Sequence, residues 1–341
     1  MTSTPSPAET IYTVVGGGAI GGTLAAHLAL AGHPVQIVDT DSAHVTAIRR
    51  QGLRIESPSG VLEADVPAFS PADAPDELGP VLLAVKSQAT KSAMTWIAPR
   101  LRTDGYVASM QNGLNEAAIS EHIGAERTVI AFVDLFADLL EPGLIKDGGI
   151  GTIALGEYAG GTSSRVDRLA SDLAHWGSPI VSDNVSGFLW SKLAFGAMLT
   201  ATSFIDEDMS TVISEYRSPM LGLAREIFAI SDVLSLSLEA FDAFAPDDYR
   251  EDAPDDTTDA AFNSLTTWLA GQTKTRSGIW RDINVRKRPT EVSAHYQPVI
   301  HIAKNRGIAT PKLQAMIDVI GELERNEASM GPALINRVAI E

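Results

Sequence analysis

Residues 16–21, Gly-Gly-Gly-Ala-Ile-Gly, have the G-x-G-x-x-G spacing of turns that bind the pyrophosphate of a dinucleotide. A β-branched run, Ile11–Val15, ends directly before this motif, and an alanine-rich stretch, Ala19–Ala31, follows it. The motif therefore stands between a predicted strand and a predicted helix, the context in which such a turn binds NAD or NADP. The chemistry that these residues indicate is the binding of a redox dinucleotide.

Each glycine of this motif has its own predicted task. Gly16 makes the tight turn, Gly18 lets the backbone approach the pyrophosphate, and Gly21 allows the helix to pack closely on the strand. The N–H groups of the first helical residues, Ala19 and Ile20, then point toward the phosphates at the positive end of the helix dipole.

A carboxylate follows at the distance where it would meet the adenosine ribose. Asp39 ends the second predicted strand, Val35–Val38, 18 residues after Gly21. A carboxylate in this position accepts hydrogen bonds from the ribose 2′-hydroxyl and repels a 2′-phosphate. We therefore expect NAD to be preferred over NADP.

The only cation in the apolar helical stretch Leu189–Phe195 is Lys192. A buried lysine needs a partner or a task, and in a dehydrogenase that task is to give a proton to a carbonyl oxygen as hydride reaches the carbon. The alternative, in which the side chain extends along the apolar surface to solvent, fits the composition equally well.

The predicted secondary structure that must position these residues differs between the two halves of the chain. Apolar runs at Val81–Val85, Tyr106–Met110 and Val129–Phe132 are separated by helical stretches, which is typical of a parallel sheet covered on both faces. From about residue 183 glycine becomes rare and apolar residues recur at helical spacing. We predict an α/β protein with a Rossmann-type doubly wound sheet over residues 1–183 and an all-helical domain over residues 184–341.

Two segments of the first half break the regular alternation. Leu53–Phe69 alternates around Ser59-Gly60 and predicts a hairpin or short edge strands. Gly143–Lys146 and Thr152–Leu155, separated by a Gly-Gly pair, predict added antiparallel strands.

Composition excludes several classes of function. The net charge of −17 is unsuited to binding nucleic acid or an anionic membrane, since both require an excess of Lys and Arg. The absence of cysteine excludes thiolate nucleophiles and disulfides, and the seven histidines show no metal-ligand spacing, so we expect no metal site. Residues 1–9 read as a polar tail without the pattern of a signal peptide, and we expect a cytoplasmic protein.

Five further short motifs follow the glycine motif. They are Leu83-Ala84-Val85-Lys86-Ser87, Gln111-Asn112-Gly113-Leu114, Glu141-Pro142-Gly143, Trp190-Ser191-Lys192-Leu193 and Thr290-Glu291. With these motifs in this order and spacing, the chain resembles the ketopantoate reductase (2-dehydropantoate 2-reductase) family over nearly its whole length. The resemblance implies a dinucleotide-binding domain followed by a helical domain, an active site in the cleft between them, a small-molecule substrate and a homodimer.

The resemblance also implies roles for individual residues. Lys192 matches the catalytic lysine that protonates the keto oxygen, and Glu291 matches the glutamate that binds the substrate hydroxyl and helps to place that lysine. Asn112 matches the asparagine between nicotinamide and substrate. Lys86 matches a lysine near the adenosine phosphate in NADP-dependent members.

The chain departs from the family pattern at positions that the resemblance assigns to the substrate pocket. Asparagines four and eight residues after the catalytic lysine are replaced by Gly196 and Thr200, and a substrate-facing serine is replaced by Gly278, with Ser277 beside it. The loss of hydrogen-bonding partners for a substrate costs up to about 10⁴-fold in efficiency. We therefore expect the two glycines to make room for the substrate. That substrate would be a carbonyl compound or an alcohol that is bulkier than 2-dehydropantoate or carries different substituents.

Three functions remain compatible with the sequence. The first is an NAD(P)-dependent oxidoreductase of the ketopantoate reductase type with Lys192 as general acid/base. The second is an NAD-dependent alcohol dehydrogenase that oxidises a non-pantoate substrate, which Asp39 favours. The third is a non-catalytic dinucleotide-binding regulator. The retention of Lys192, Glu291 and Asn112 argues against this third function, because a regulator needs none of them.

Overall fold

The structure is a computed structural model that describes residues 10–272 and 274–339. The polar tail expected at residues 1–9 lies outside the described residues. The chain divides into two compact units between Val185 and Ser186.

The first unit is an α/β unit with two sheets. Its strands are β1 (Tyr12–Val15), β2 (Val35–Val38), β3 (Leu53–Ser57), β4 (Gly60–Ala64), β5 (Ala68–Phe69), β6 (Val81–Leu83), β7 (Val107–Ser109), β8 (Thr128–Asp134), β9 (Ala137–Glu141), β10 (Leu144–Asp147), β11 (Thr152–Glu157) and β12 (Ser178–Val181). Its helices are α1 (Ala19–Leu30), α2 (Ser42–Gln51), α3 (Thr90–Ile97), α4 (Glu116–Ile123) and α5 (Ser164–Leu173).

The larger sheet has the strand order β12-β11-β8-β7-β6-β1-β2-β5. Neighbouring strands are parallel except β11, which runs antiparallel to β8. All four residues of β1 are buried, as are all three of β6 and of β7, because helices cover both faces of a parallel sheet. The chain order reverses between β1 and β6, so the crevice for a ligand lies at the carboxyl ends of these two strands. The predicted Rossmann-type fold is confirmed.

The smaller sheet has the order β4-β3-β10-β9. The hairpin predicted around residues 59–60 is formed by β3 and β4, and β10 is antiparallel to β9. A parallel pairing of β10 with β3 joins the two hairpins, with Ile145 opposite Ile55. This second sheet is not apparent from the sequence, because the two hairpins lie far apart in the chain.

The second unit is helical, as predicted. Its elements are α6 (which begins at the boundary, Val185–Thr202), α7 (Met209–Glu215), α8 (Arg217–Val233), α9 (Asp255–Ala270), α10 (Gly278–Asn284), α11 (Val292–Asn305), α12 (Pro311–Glu324) and α13 (Pro332–Val338). Aromatic side chains pack together in its core, with Phe195 stacked on Phe244 and Phe244 on Tyr249. Within the described part of the chain, no helix has both the length and the apolarity needed to cross a bilayer.

Candidate active site

The glycine turn after β1 leaves no space for side chains at two of its three key positions. Gly16 has φ +95°, and a Cβ there would lie 2.7 Å from the backbone nitrogen of Val85. A Cβ at Gly21 would lie 1.9 Å from the carbonyl oxygen of Gly16, so only glycine lets α1 approach the turn this closely. A Cβ at Gly18, in contrast, would meet no atom within 4 Å.

The open space at Gly18 fits a bound pyrophosphate. Gly18 is the N-cap of α1 and offers no side chain to cap the helix. The amide groups at the start of a helix have no partner in the preceding turn, so those of Ala19, Ile20 and Gly21 are suited to binding an anion. The residues present therefore fit the dinucleotide that the sequence motif predicts.

The carboxylate of Asp39 is fixed beside this turn at the end of β2. Its Oδ2 accepts a hydrogen bond from the amide of Gly17 at 2.6 Å, and its Oδ1 accepts one from the amide of Asp41 at 2.8 Å. Because β1, β2 and β6 are parallel, the glycine turn, Asp39 and Lys86 all follow the carboxyl ends of adjacent strands. Lys86 is half-buried just before a short 3₁₀ turn.

The role of His44, a buried residue of α2, is not apparent from the sequence. Its Nε2 lies 2.7 Å from the carbonyl oxygen of Gly17, and its Nδ1 accepts a hydrogen bond from the amide of Gly143 at 3.0 Å. His44 is only 1% exposed. This imidazole therefore links the glycine turn to the turn between β9 and β10. A histidine near the carboxyl end of a predicted strand is a weak signal, because its two partners cannot be identified from spacing.

Asn112 lies in a loop that follows β7. Its backbone carbonyl accepts hydrogen bonds from Ser87 Oγ at 2.9 Å and from Asn115 Nδ2 at 2.7 Å. Gln111 Nε2 donates to the carbonyl of Val85 at 2.9 Å, and also to Thr90 Oγ1 at 2.7 Å. These bonds fasten the loop to the segment after β6, while Asn112 itself stays exposed at the same edge of the sheet as the glycine turn.

Lys192 lies on α6 between residues whose side chains are buried. Trp190 is 4% exposed and Leu193 5%, whereas Lys192 is half-buried. Ser191 is buried beside it, donates its hydroxyl to the carbonyl of Gly187 at 2.8 Å and accepts a hydrogen bond from the amide of Glu239 at 3.1 Å. The backbone that carries Lys192 is thus held firmly.

Glu291 is the N-cap of α11 and is half-buried. The residue before it is anchored, because both the amide and the hydroxyl of Thr290 donate to Glu324 Oε1 at 2.7 Å. One turn later, His295 Nε2 lies 3.9 Å from Glu291 Oε1. The backbone that leads into Glu291 is therefore fixed.

The four residues expected to line a substrate pocket differ in their surroundings. A Cβ at Gly196 would lie 2.9 Å from the hydroxyl oxygen of Tyr296, whereas at Gly278 a Cβ would meet nothing within 4 Å. The expectation that both glycines make room is therefore wrong for Gly196, where a phenol fills the space. Thr200 is buried and donates its hydroxyl to the carbonyl of Gly196 at 2.7 Å. Ser277 is the N-cap of α10.

Among residues 10–272 and 274–339, no three His, Asp or Glu side chains are grouped so as to hold a metal ion. The candidate groups in the second unit are the amine of Lys192, the carboxylate of Glu291 and the nearby hydroxyl groups. In the first unit they are the glycine turn and the exposed amide of Asn112.

Comparison with known families gives a match in each half of the chain. Residues 12–160 match the family model described as ketopantoate reductase PanE/ApbA. Residues 184–324 match the model described as ketopantoate reductase PanE/ApbA C terminal. The two matches together span most of the chain.

Curated relatives carry the corresponding name. A 2-dehydropantoate 2-reductase of Mesorhizobium japonicum is 34% identical over 206 residues, which span 53% of this chain and 62% of that relative. A 2-dehydropantoate 2-reductase of Vibrio cholerae is 23% identical over 323 residues, which span 92% of this chain and 97% of the relative.

Solved structures share the fold. D-mandelate dehydrogenase, in a ternary structure with NADH and anilino(oxo)acetate, has a TM-score of 0.79 at 18% identity and covers 93% of this chain and 99% of its own. A PanE/ApbA family ketopantoate reductase from Ralstonia eutropha has a TM-score of 0.78 at 23% identity, with the same coverage of both chains.

Proposed function

The chain belongs to the ketopantoate reductase family, and on that premise we propose that it is an NAD(P)-dependent oxidoreductase that interconverts a carbonyl compound and its secondary alcohol. The observation that carries this proposal is the glycine turn. Gly16 and Gly21 are packed against backbone while Gly18 faces open space, which suits a dinucleotide and leaves little reason for three glycines otherwise.

A bound nicotinamide would supply the hydride that the carbonyl carbon gains in reduction, and would accept the hydride that the alcohol carbon loses in oxidation. Lys192 gives the matching proton to the carbonyl oxygen in reduction and takes it from the hydroxyl in oxidation. Glu291 accepts a hydrogen bond from a substrate hydroxyl and holds the ammonium of Lys192 in place. Asn112 takes the role that the resemblance implies for it, a contact with nicotinamide and substrate.

We propose NAD as the preferred cofactor. The fixed carboxylate of Asp39 supports this choice, because a carboxylate at the end of this strand accepts hydrogen bonds from a ribose 2′-hydroxyl and carries the same charge sign as a 2′-phosphate. Lys86, after β6, is the residue that would favour NADP. The neighbour D-mandelate dehydrogenase was solved with NADH, which agrees with an NAD-dependent member on this fold.

The substrate that we propose is a small carbonyl compound other than 2-dehydropantoate, or the corresponding secondary alcohol. Positions 196 and 200 offer no amide side chain, and Thr200 directs its hydroxyl to its own helix. The open space at Gly278 supports a substrate whose differing substituent lies near the start of α10. Oxidation of a secondary alcohol is the second candidate direction, favoured by the NAD preference that Asp39 indicates.

We infer a homodimer from the family resemblance. Light scattering on the purified protein should give a mass close to twice that of the 36.2 kDa chain, and a mass equal to that of one chain would contradict the inference.

The decisive experiment is a rate measurement on the Lys192→Ala variant. Wild-type protein is assayed with NADH and NADPH against 2-dehydropantoate and a panel of other 2-oxo acids, and with NAD against the matching alcohols. Removal of the proton donor should lower turnover by about 10²–10⁴-fold while NADH affinity, measured by fluorescence titration, stays unchanged.

The matched control is Lys304→Ala, which removes an exposed lysine from α11. It should leave both turnover and NADH affinity unchanged. Full turnover in Lys192→Ala would contradict the mechanism. NADH binding without turnover of any substrate would favour the non-catalytic regulator.

A further inference from the structure

A glycine in the interior of α6 has a close neighbour from another helix. Gly196 lies one turn after Lys192, where alanine would stabilise the helix more than glycine does. A Cβ at this position would lie 2.9 Å from the hydroxyl oxygen of Tyr296, a separation that real Cβ atoms essentially never show. The glycine is therefore explained by the approach of the phenol.

Tyr296 belongs to α11 and is 3% exposed. Its hydroxyl donates a hydrogen bond to the carbonyl oxygen of Leu193 at 2.9 Å. Burial raises the pKa of Tyr296 far above its ordinary value. The phenol consequently stays protonated and remains a donor throughout the pH range of an enzyme assay.

The hydrogen bond joins the two helices that carry the proposed catalytic pair. Leu193 directly follows Lys192 on α6, while Tyr296 lies five residues after Glu291 on α11. The first turn of α11 is closed by a hydrogen bond from the amide of His295 to the carbonyl of Glu291 at 3.0 Å. The backbone next to Lys192 is therefore connected to Glu291 by the Tyr296–Leu193 hydrogen bond and the first turns of α11.

We propose that Tyr296 is a positioning residue, whose phenol fixes the Lys192–Leu193 turn of α6 relative to Glu291, and that glycine at position 196 is required to admit it. The inference rests on the proposed function, in which Lys192 and Glu291 act together. A group that only holds two catalytic residues in register affects the rate of the chemical step, and it leaves cofactor binding in the first unit untouched.

The first test compares two buried tyrosines of the helical unit. Tyr296→Phe removes the donor to Leu193 and keeps the ring. Tyr249→Phe is the matched control, because Tyr249 is fully buried and its hydroxyl has no hydrogen-bond partner among the described residues. Tyr296→Phe should lower kcat by about 10–100-fold and leave NADH affinity unchanged, which is the usual size of the loss when a residue that holds a reactive group in place is removed. Tyr249→Phe should retain the wild-type kcat.

The second test uses the contact between Gly196 and the phenol. Gly196→Ala pushes the hydroxyl away from Leu193 and should also lower kcat. In the double variant Gly196→Ala/Tyr296→Phe the clashing oxygen is absent, so the loss should equal that of Tyr296→Phe alone rather than the product of the two losses. Multiplicative losses would overturn the proposal.

A third measurement does not depend on turnover. Acylation of Lys192 in the NADH-bound protein is followed by peptide mass spectrometry, and its rate should change several-fold in Tyr296→Phe but not in Tyr249→Phe. If the wild-type protein shows no turnover, the proposed function is refuted. The acylation rates would still test whether Tyr296 positions Lys192. If Tyr296→Phe matches wild type in acylation rate, or in kcat where there is turnover, the proposal is overturned.

Discussion

The amide of Gly143 donates a hydrogen bond to Nδ1 of His44 over 3.0 Å. Since Nδ1 is the acceptor, the ring proton resides on Nε2, which faces the carbonyl oxygen of Gly17 at 2.7 Å. A neutral, buried imidazole thus joins the turn between β9 and β10 to the cofactor turn. The glycine turn is shaped from outside the motif itself.

Replacing His44 should therefore weaken both the fold and the cradle. His44→Ala leaves the amide of Gly143 and the carbonyl of Gly17 unpaired in a buried site, at a cost of about 2–4 kcal/mol in the free energy of unfolding. NADH affinity should fall with it, because the turn is no longer held. Denaturant unfolding and fluorescence titration measure the two effects. His122→Ala is the control, since among the described residues the imidazole of His122 bonds only to its own helix, at the carbonyl of Ala118. Equal effects in both variants would contradict this role of His44.

Two glycine substitutions should separate binding from folding. Gly18→Ala adds a methyl group into open space, so the protein should keep its melting temperature and lose NADH affinity. Gly21→Ala places a Cβ 1.9 Å from the carbonyl of Gly16 and should lower the melting temperature as well. Calorimetry with and without NADH distinguishes the two. A Gly18→Ala protein that binds NADH normally would exclude this turn as the pyrophosphate site.

The ratio of affinities for NADH and NADPH should depend on Asp39. Asp39→Asn removes the negative charge that repels a 2′-phosphate, so this ratio should move toward NADPH by about tenfold. Asp41→Asn is a matched control, because it removes the same charge two residues away while asparagine still caps α2. If both variants shift the ratio equally, the effect is one of overall charge and the cofactor argument fails.

Stability should fall as the pH rises through neutrality because of Glu116, the first residue of α4. Burial raises the pKa of this carboxyl from 4.5 to about 7, although hydrogen bonds from its own amide and that of Asn115 act in the opposite direction. The folded state thus holds the proton more tightly than the unfolded chain does. This contribution is complete below about pH 4.5 and is lost as pH rises through about 7.

Glu116→Gln has no such proton to lose. Its melting temperature should match that of the wild type at pH 4.5 and exceed it by about 2–4 °C at pH 8, measured by calorimetry across this range. Glu121→Gln, on the exposed side of the same helix, should follow the wild-type curve at every pH. A constant difference between Glu116→Gln and wild type across the pH range would contradict the assignment.

The parts that sequence predicts well are those whose causes are local. The tight turn at Gly16 and the close packing at Gly21 follow from backbone geometry within a single turn, and uninterrupted apolar runs mark buried parallel strands. The position of Asp39 follows from its place at the end of β2. In each case neighbouring residues in the chain are also neighbours in space.

The parts that escape prediction depend on partners far away in the chain. His44 gains its role from Gly143, and the second sheet forms because β10 pairs with β3. At position 196 the sequence reveals a missing side chain, but not that Tyr296, a hundred residues later, fills the space. Absence of a side chain is visible in a sequence, whereas the occupant of the resulting space is a tertiary property.

The pairing of β10 with β3 also sets an order of events during synthesis. The ribosome releases the glycine motif and Asp39 early, long before Gly143 and β10 emerge. A nascent chain that ends before Gly143 has every residue of the dinucleotide motif, yet its His44 lacks the donor that fixes the ring. We expect dinucleotide binding to be gained only when the β9–β10 hairpin docks on β3, so that cofactor capture reports the docking of this hairpin.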